Sequence, residues 1–270
     1  MVSCIIVSIV AYLLGSISFS VIFGKVFAGI DVREKGSKNA GATNVLRTAG
    51  ILPAVLTLLC DCAKGVIAIL IAFIVGNITK EYQALLVQLA GLLVVIGHTF
   101  PIFFKFKGGK GVATALGVLL ITNWQIGLIC LVYALMLMVL TRMVSLGSIT
   151  AALLYPVLTL FISTNYLVEG NYVIFAILLA ALVVFNHRSN VKRLMNGTEN
   201  RLGANKDNRP DIKEKEAEKE VEKEQAKQEE KSEEEVKEEE VEVNDPPKIE
   251  VDNKENNEKN KSKKKRKKNR

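Results

Sequence analysis

Three polar clusters interrupt an otherwise apolar stretch, and each holds residue types that bind an oxyanion. The first reads Gly36-Ser37-Lys38-Asn39-Ala40-Gly41-Ala42-Thr43-Asn44-Val45-Leu46-Arg47. Its small residues let backbone N–H groups converge. Ser37, Asn39, Thr43 and Asn44 add hydroxyl and amide groups, and Arg47 adds a planar charged fork suited to phosphate. The second, Lys105-Phe106-Lys107-Gly108-Gly109-Lys110-Gly111, stands directly before an apolar run beginning at Val112. Glycines ahead of a helix start allow a close backbone approach, and the positive end of the helix dipole faces the same ligand. The third is His187-Arg188-Ser189-Asn190 with Arg193, for which Gly197 is the expected C-cap. His187 and Asn190, at i and i+3, share one helix face. Ser145, just after Arg142, adds another hydroxyl.

Taken singly, a glycine-rich loop is an ordinary turn and a basic helix end an ordinary topogenic signal. Several chemistries are also excluded. A nucleotide P-loop built on Gly109-Lys110 needs Gly where Phe104 stands and Ser or Thr where Gly111 stands. No Gly-x-Ser-x-Gly elbow occurs, and Phe103 and Lys192 occupy the fifth positions after His98 and His187, where acyltransferases using thioester donors carry Asp. The clusters contain no carboxylate or thiol apart from Glu34 and Glu199 at their margins. Cys4, Cys60, Cys62 and Cys130 lie inside apolar runs without metal-ligand spacing. No metal or cofactor is expected. Catalysis with this inventory would rest on positioning and charge stabilisation of an already activated substrate.

Two incompatible materials make up the 270 residues. Residues 1–203 carry 15 Lys and Arg against 6 Asp and Glu, whereas 204–270 carry 20 against 22, so the mean hydropathy of +0.24 averages over both. The first piece belongs in lipid. Apolar stretches near or at the roughly 20 residues that span a bilayer cover about 3–27, 51–76, 82–104, 145–165 and 170–186. The run 112–141 is too long for one upright helix, and Asn123-Trp124 near its middle suits a polar turn with an interfacial aromatic, so two short helices are expected there. No cleavage signal follows Met1, so the first stretch is expected to stay as a helix.

Charge placement sets the topology. With seven spans, the loops bearing Arg33, Lys35, Lys38 and Arg47, then Lys105, Lys107 and Lys110, then Arg142, then Arg188, Lys192, Arg193 and Arg201 all fall on one side, which is the cytoplasmic one. The expectation is an all-α polytopic membrane protein with seven transmembrane helices, amino end outside and carboxyl end inside. All three polar clusters then meet at the cytoplasmic face as one anion site. Inside the second span, Asp61 and Lys64 at i and i+3 are expected to neutralise each other.

From about residue 204 the chain has no apolar periodicity. Residues 211–258 hold 21 acidic and 9 basic residues, and 259–270 hold 9 basic and none acidic. Such a composition cannot offset its ordering entropy, and a disordered Lys/Glu-rich cytoplasmic tail is expected. Its partner is not legible, and nucleic acid is not expected.

The clusters could also line a transport path for a phosphorylated solute, although no internal repeat is visible. More specifically, the chain closely resembles the bacterial acyl-phosphate:glycerol-3-phosphate acyltransferase family. The resemblance covers residues 1 to about 203. It rests on Gly15-Ser16-Ile17-Ser18, the Gly36 to Arg47 cluster, Asp61-x-x-Lys64-Gly65, Gly97-His98-x-Phe100-Pro101, Phe106 to Ala113, Ser145, and His187-Arg188-x-Asn190 through Gly197-x-Glu199. Ser18 stands where the family usually has Pro, a departure that concerns helix geometry. The resemblance implies transfer of a fatty acyl group from acyl phosphate to the sn-1 hydroxyl of glycerol 3-phosphate, giving 1-acyl-glycerol 3-phosphate and phosphate. It implies no metal and no covalent acyl-enzyme. By the same analogy Arg47, Lys110, Ser145, His187 and Asn190 bind glycerol 3-phosphate. Ser37, Asn39, Thr43, Asn44 and the Gly108-Gly109 backbone bind long-chain acyl phosphate. Lys110, Arg47 and His187 are the catalytic candidates, with either His187 or a substrate phosphate oxygen accepting the proton. The implied setting is a monomer in the bacterial inner membrane, surrounded by membrane lipids.

Overall fold

The computed structural model describes residues 1–162 and 167–203. The charged tail expected to be disordered therefore lies outside the described residues. Those residues are helical and contain no strand. The order is α1 (Val2–Gly15), α2 (Phe19–Ala28), α3 (Ala42–Thr48), α4 (Ile51–Thr79), α5 (Gln83–Thr99), a 3-10 turn (Ile102–Phe104), α6 (Val112–Thr122), α7 (Trp124–Thr141), α8 (Val144–Phe161), α9 (Val173–Asn186) and α10 (Arg188–Met195).

Five segments are long and apolar enough to cross a membrane, counting α1 with α2 as one, and a sixth is added if α9 and α10, bent by 64° at their junction, count as a single span. The run at 112–141 divides as expected. Asn123 ends α6 and caps α7, its Oδ1 accepting the Ile126 N–H at 3.0 Å. With 11 residues α6 is only about 16 Å long, roughly half a hydrocarbon core.

Small residues set how closely the helices approach, as is usual where lipid removes the hydrophobic drive between them. A Cβ added at Gly65 of α4 would strike the Thr114 carbonyl of α6, and one at Gly117 of α6 would strike the Cys62 carbonyl of α4. The α1/α5 pair meets the same way through Gly15 and Gly97. These two helices run parallel. The Met1 ammonium lies 3.1 Å from Glu81 at one end, and the Tyr12 hydroxyl donates to the Phe100 carbonyl at 2.9 Å at the other. A parallel pair separated by one intervening long helix, α4, is what alternating spans require.

The stretch 3–27 is long and apolar enough to span, as expected, but its helix is interrupted: α1 ends at Gly15 and α2 restarts at Phe19. The cause lies far away in sequence. Lys64 of α4, 1% exposed, donates to the freed carbonyls of Gly15 at 2.9 Å and Ile17 at 2.8 Å, and its Nζ lies 2.8 Å from Asp61 Oδ1. The expected Asp61–Lys64 pair therefore exists and also clasps a helix break. His98 Nδ1 of α5 stands 3.4 Å from the same Asp61 oxygen.

Candidate active site at one end of the bundle

The first cluster is a loop braced from within. Asn44 on α3 is buried, and its groups are spent on the loop. Oδ1 accepts the Ser37 N–H at 2.8 Å, while Nδ2 donates to the carbonyls of Val32 at 2.6 Å and Lys35 at 3.2 Å. Asn44, expected as a ligand, thus shapes the loop. Arg33, paired with Asp31, donates to the Phe104 carbonyl at 2.8 Å and fastens this loop to the 3-10 turn. That pairing holds the Asp31 carboxyl below the usual range through the Arg33 hydrogen bond, against the opposing effect of burial. Ser37 is left exposed, Asn39 and Thr43 half-buried, and Arg47 exposed in the last turn of α3.

The second cluster folds back on the end of α5. Gly108 N–H donates to the Thr99 carbonyl at 3.2 Å, and Gly109 N–H to the His98 carbonyl at 3.1 Å. These two N–H groups were expected to face an anion; they hold the turn instead. Both positions admit no side chain. A Cβ at Gly109 would fall on His98 Nε2 and within 2.5 Å of the Ala40 carbonyl, which shows how tightly the first two clusters approach. At Gly111, φ is +84°, a left-handed value that glycine takes without strain, and it turns the chain into α6.

The third cluster is a corner. The chain bends between α9 and α10 at His187, and α10 closes with Gly197 at φ +68°. Gly197 N–H donates to Leu194 at 3.1 Å and Thr198 N–H to Arg193 at 2.8 Å, the paired bonds of a Schellman ending. That turn brings Glu199 back under the helix. Asn190 Nδ2 donates to Glu199 Oε1 at 2.9 Å, and Arg193 Nε to Glu199 Oε2 at 2.9 Å.

Lys110 joins the second cluster to the third, its Nζ donating to Asn190 Oδ1. Burial lowers its pKa to about 8. Glu199 opposes that shift, and Arg193 and Arg47 add to it, so Arg47 is within electrostatic range of the ammonium. His187 is buried, and its Nδ1 lies 2.7 Å from the Val183 carbonyl. A carbonyl only accepts, so Nδ1 carries the hydrogen and Nε2 keeps its lone pair. Burial first, then the Lys110 charge, push the imidazole down to about 4, against the Val183 bond and Glu199. The ring is neutral near pH 7. Ser145, buried in the first turn of α8, has an Oγ without a hydrogen-bond partner among the described residues. The nearby Arg142 carbonyl accepts the Leu202 N–H at 2.7 Å, which ties this end of α8 to the chain beyond α10.

Lys110, His187, Asn190 and Arg47 are thus brought into one electrostatic group. Residue patterns placed Arg193 in the third cluster and gave Glu199 only marginal weight. Glu199 carried a faint signal, as a carboxylate two residues past a helix-ending glycine in a basic segment.

Fold and site together define a polytopic integral membrane protein with a cluster of cationic, amide and imidazole side chains at one end of an apolar helical bundle. The family described as "Glycerol-3-phosphate acyltransferase" matches residues 5–197, and the chain belongs to that family of acyltransferases. It is 43% identical over 205 residues to the glycerol-3-phosphate acyltransferase of Clostridioides difficile (strain 630), covering 76% of this chain and 98% of the relative. With that of Shouchella clausii (strain KSM-K16) it shares 45% over 202 residues, covering 75% and 97%. Among solved structures it is similar to PlsY (YgiH), described as an integral membrane glycerol 3-phosphate acyltransferase. The glycerol 3-phosphate form is 40% identical with a TM-score of 0.66, covering 74% of this chain and 96% of that one. The lysophosphatidic acid form is 39% identical with a TM-score of 0.64 and the same coverage.

Proposed function

We propose that this chain transfers a fatty acyl group from acyl phosphate to the sn-1 hydroxyl of glycerol 3-phosphate, releasing 1-acyl-glycerol 3-phosphate (lysophosphatidic acid) and inorganic phosphate. The observation that carries this reading is the pairing of a semi-buried cation, Lys110, with a neutral imidazole whose Nε2 is unprotonated, at the end of a membrane bundle.

Acyl phosphate is a mixed anhydride, so the carbonyl arrives activated and the protein need not form a covalent intermediate. The sn-1 oxygen forms the ester bond with the carbonyl carbon as the carbonyl–phosphate oxygen bond breaks, and the electron pair leaves on phosphate. The sn-1 proton goes to His187 Nε2 or to a phosphate oxygen of the substrate. What remains is to hold two anions side by side. Lys110 exchanges its Asn190 acceptor for the glycerol 3-phosphate phosphoryl group, Arg47 shares the charge, and Asn190 and the Ser145 hydroxyl complete that site. Ser37, Asn39 and Thr43 face the acyl phosphate, with Asn44, Gly108 and Gly109 shaping its loop. The setting is a monomer in the inner membrane of a bacterium, with seven spans, the amino end outside, and the site on the cytoplasmic side beside membrane lipids. Residues 1–203 form the catalytic domain, and 204–270 are not needed for turnover.

The test is purified protein in detergent, supplied with long-chain acyl phosphate and glycerol 3-phosphate and followed for phosphate release. Turnover is expected. Lys110→Ala should lower kcat/KM about a hundredfold, as loss of one charge-assisted phosphate contact implies. Absence of turnover, or an unaffected Lys110→Ala, would overturn the assignment.

A further inference from the structure

The end of α5 does more than terminate a helix. Thr99, 7% exposed, has a carbonyl that accepts the Gly108 N–H at 3.2 Å, two residues before Lys110. Its hydroxyl donates to the Val95 carbonyl at 3.0 Å and accepts from Asn186 Nδ2 at 3.1 Å. Asn186 is the last residue of α9 and directly precedes His187, where the chain turns by 64°. One residue therefore grips both the turn that presents Lys110 and the corner that presents His187.

A second bond joins the same two parts, from Lys110 to Asn190. That bond is the one a phosphate would displace, because the ammonium cannot serve the amide and an incoming anion in full at once. The Thr99–Asn186 bond involves neither the Lys110 ammonium nor the Asn190 amide. From this geometry we infer that Thr99 and Asn186 are positioning residues that keep His187 in register with Lys110 while phosphate occupies the lysine. The inference rests on the reading of Lys110 and His187 as the reactive pair and extends it to the device that fixes their separation. A small error in such a distance is costly in catalysis, since reacting groups must be held close to their attack geometry.

The test has two arms. In the first, Thr99→Val removes the hydroxyl while keeping the branched shape, and Thr99→Ser keeps the hydroxyl. With acyl phosphate and glycerol 3-phosphate, Thr99→Val should lower kcat about tenfold with KM for glycerol 3-phosphate changed less than about twofold, and Thr99→Ser should recover most of the loss. Asn186→Leu should match Thr99→Val, and the double variant should be no worse than either single one. In the second arm, amide hydrogen exchange over residues 186–191 is followed in detergent with saturating inorganic phosphate as the probe, which needs no turnover. Thr99→Val should accelerate exchange there several-fold, and Thr99→Ser should not.

Unchanged exchange in Thr99→Val would overturn the inference whether or not the wild type turns over acyl phosphate. So would additive losses in the double variant, or a Thr99→Val loss that Ser does not recover. Faster exchange in Thr99→Val together with no turnover by the wild type would sink the proposed activity and leave the strut standing.

Discussion

At the level of single residues, the cluster holds two neighbouring groups in different protonation states. Lys110 at about 8 is mostly cationic near neutrality, and His187 at about 4 is neutral there. With Lys110 binding phosphate as proposed, kcat/KM should fall as pH rises through about 8. On the acid side His187 contributes no limb until about pH 4, and a limb near pH 6 would belong to the second ionisation of a substrate phosphate. Glu199 raises the lysine's pKa, so Glu199→Gln should move the alkaline limb to lower pH, an outcome a pH profile of kcat/KM reads directly. A limb that stays in place in that variant would show that another group titrates. Lys110, His187 and Asn190 were legible in the sequence because glycine and helix-face spacing singled them out. Glu199 was only faintly so, because its contacts depend on the turn at Gly197 that folds it back onto Asn190 and Arg193.

At the level of elements, the lesson is in what breaks a helix and what closes a turn. Most helical stretches could be read from apolar length and charge spacing, including the division of 112–141 at Asn123, whose side chain caps the second helix. The α1/α2 break could not, since the run holds only Ser16 and Ser18 as polar residues there and the clasp is Lys64, 47 residues beyond Ile17. The Gly108-Gly109 turn was read as an anion cradle because glycines ahead of a helix commonly make one. In the structure the α5 carbonyls claim those N–H groups, and the glycines serve packing against His98 and the Ala40 carbonyl. Gly109→Ala must therefore push the first two clusters apart. Activity should drop at least about tenfold, by the sensitivity of catalysis to small displacements, with the helical circular dichroism signal unchanged. Retained activity would mean that the contact is not needed to align the site.

At the level of the molecule, three segments separated by about 60 and 80 residues assemble at one end of the bundle through Arg33–Phe104, Ala40–Gly109, Lys110–Asn190 and Asn186–Thr99. The opposite end gathers the Met1–Glu81 pair. Composition alone suggested this division, because the basic loops fall together only if spans alternate. Among the described residues five segments are long and apolar enough to span, or six with the bent α9/α10 pair, and the 11-residue α6 is too short to be counted, so the seven spans expected from charge placement are not reached by length. Cells expressing the chain with its four native cysteines replaced, and single cysteines at positions 39, 110 or 190, can be treated with a membrane-impermeant maleimide. None of the three should label in intact cells and all three should label in inside-out vesicles; a cysteine at any one of them that reacts from the outer face would put the clusters on different sides of the membrane and rule out a single shared site.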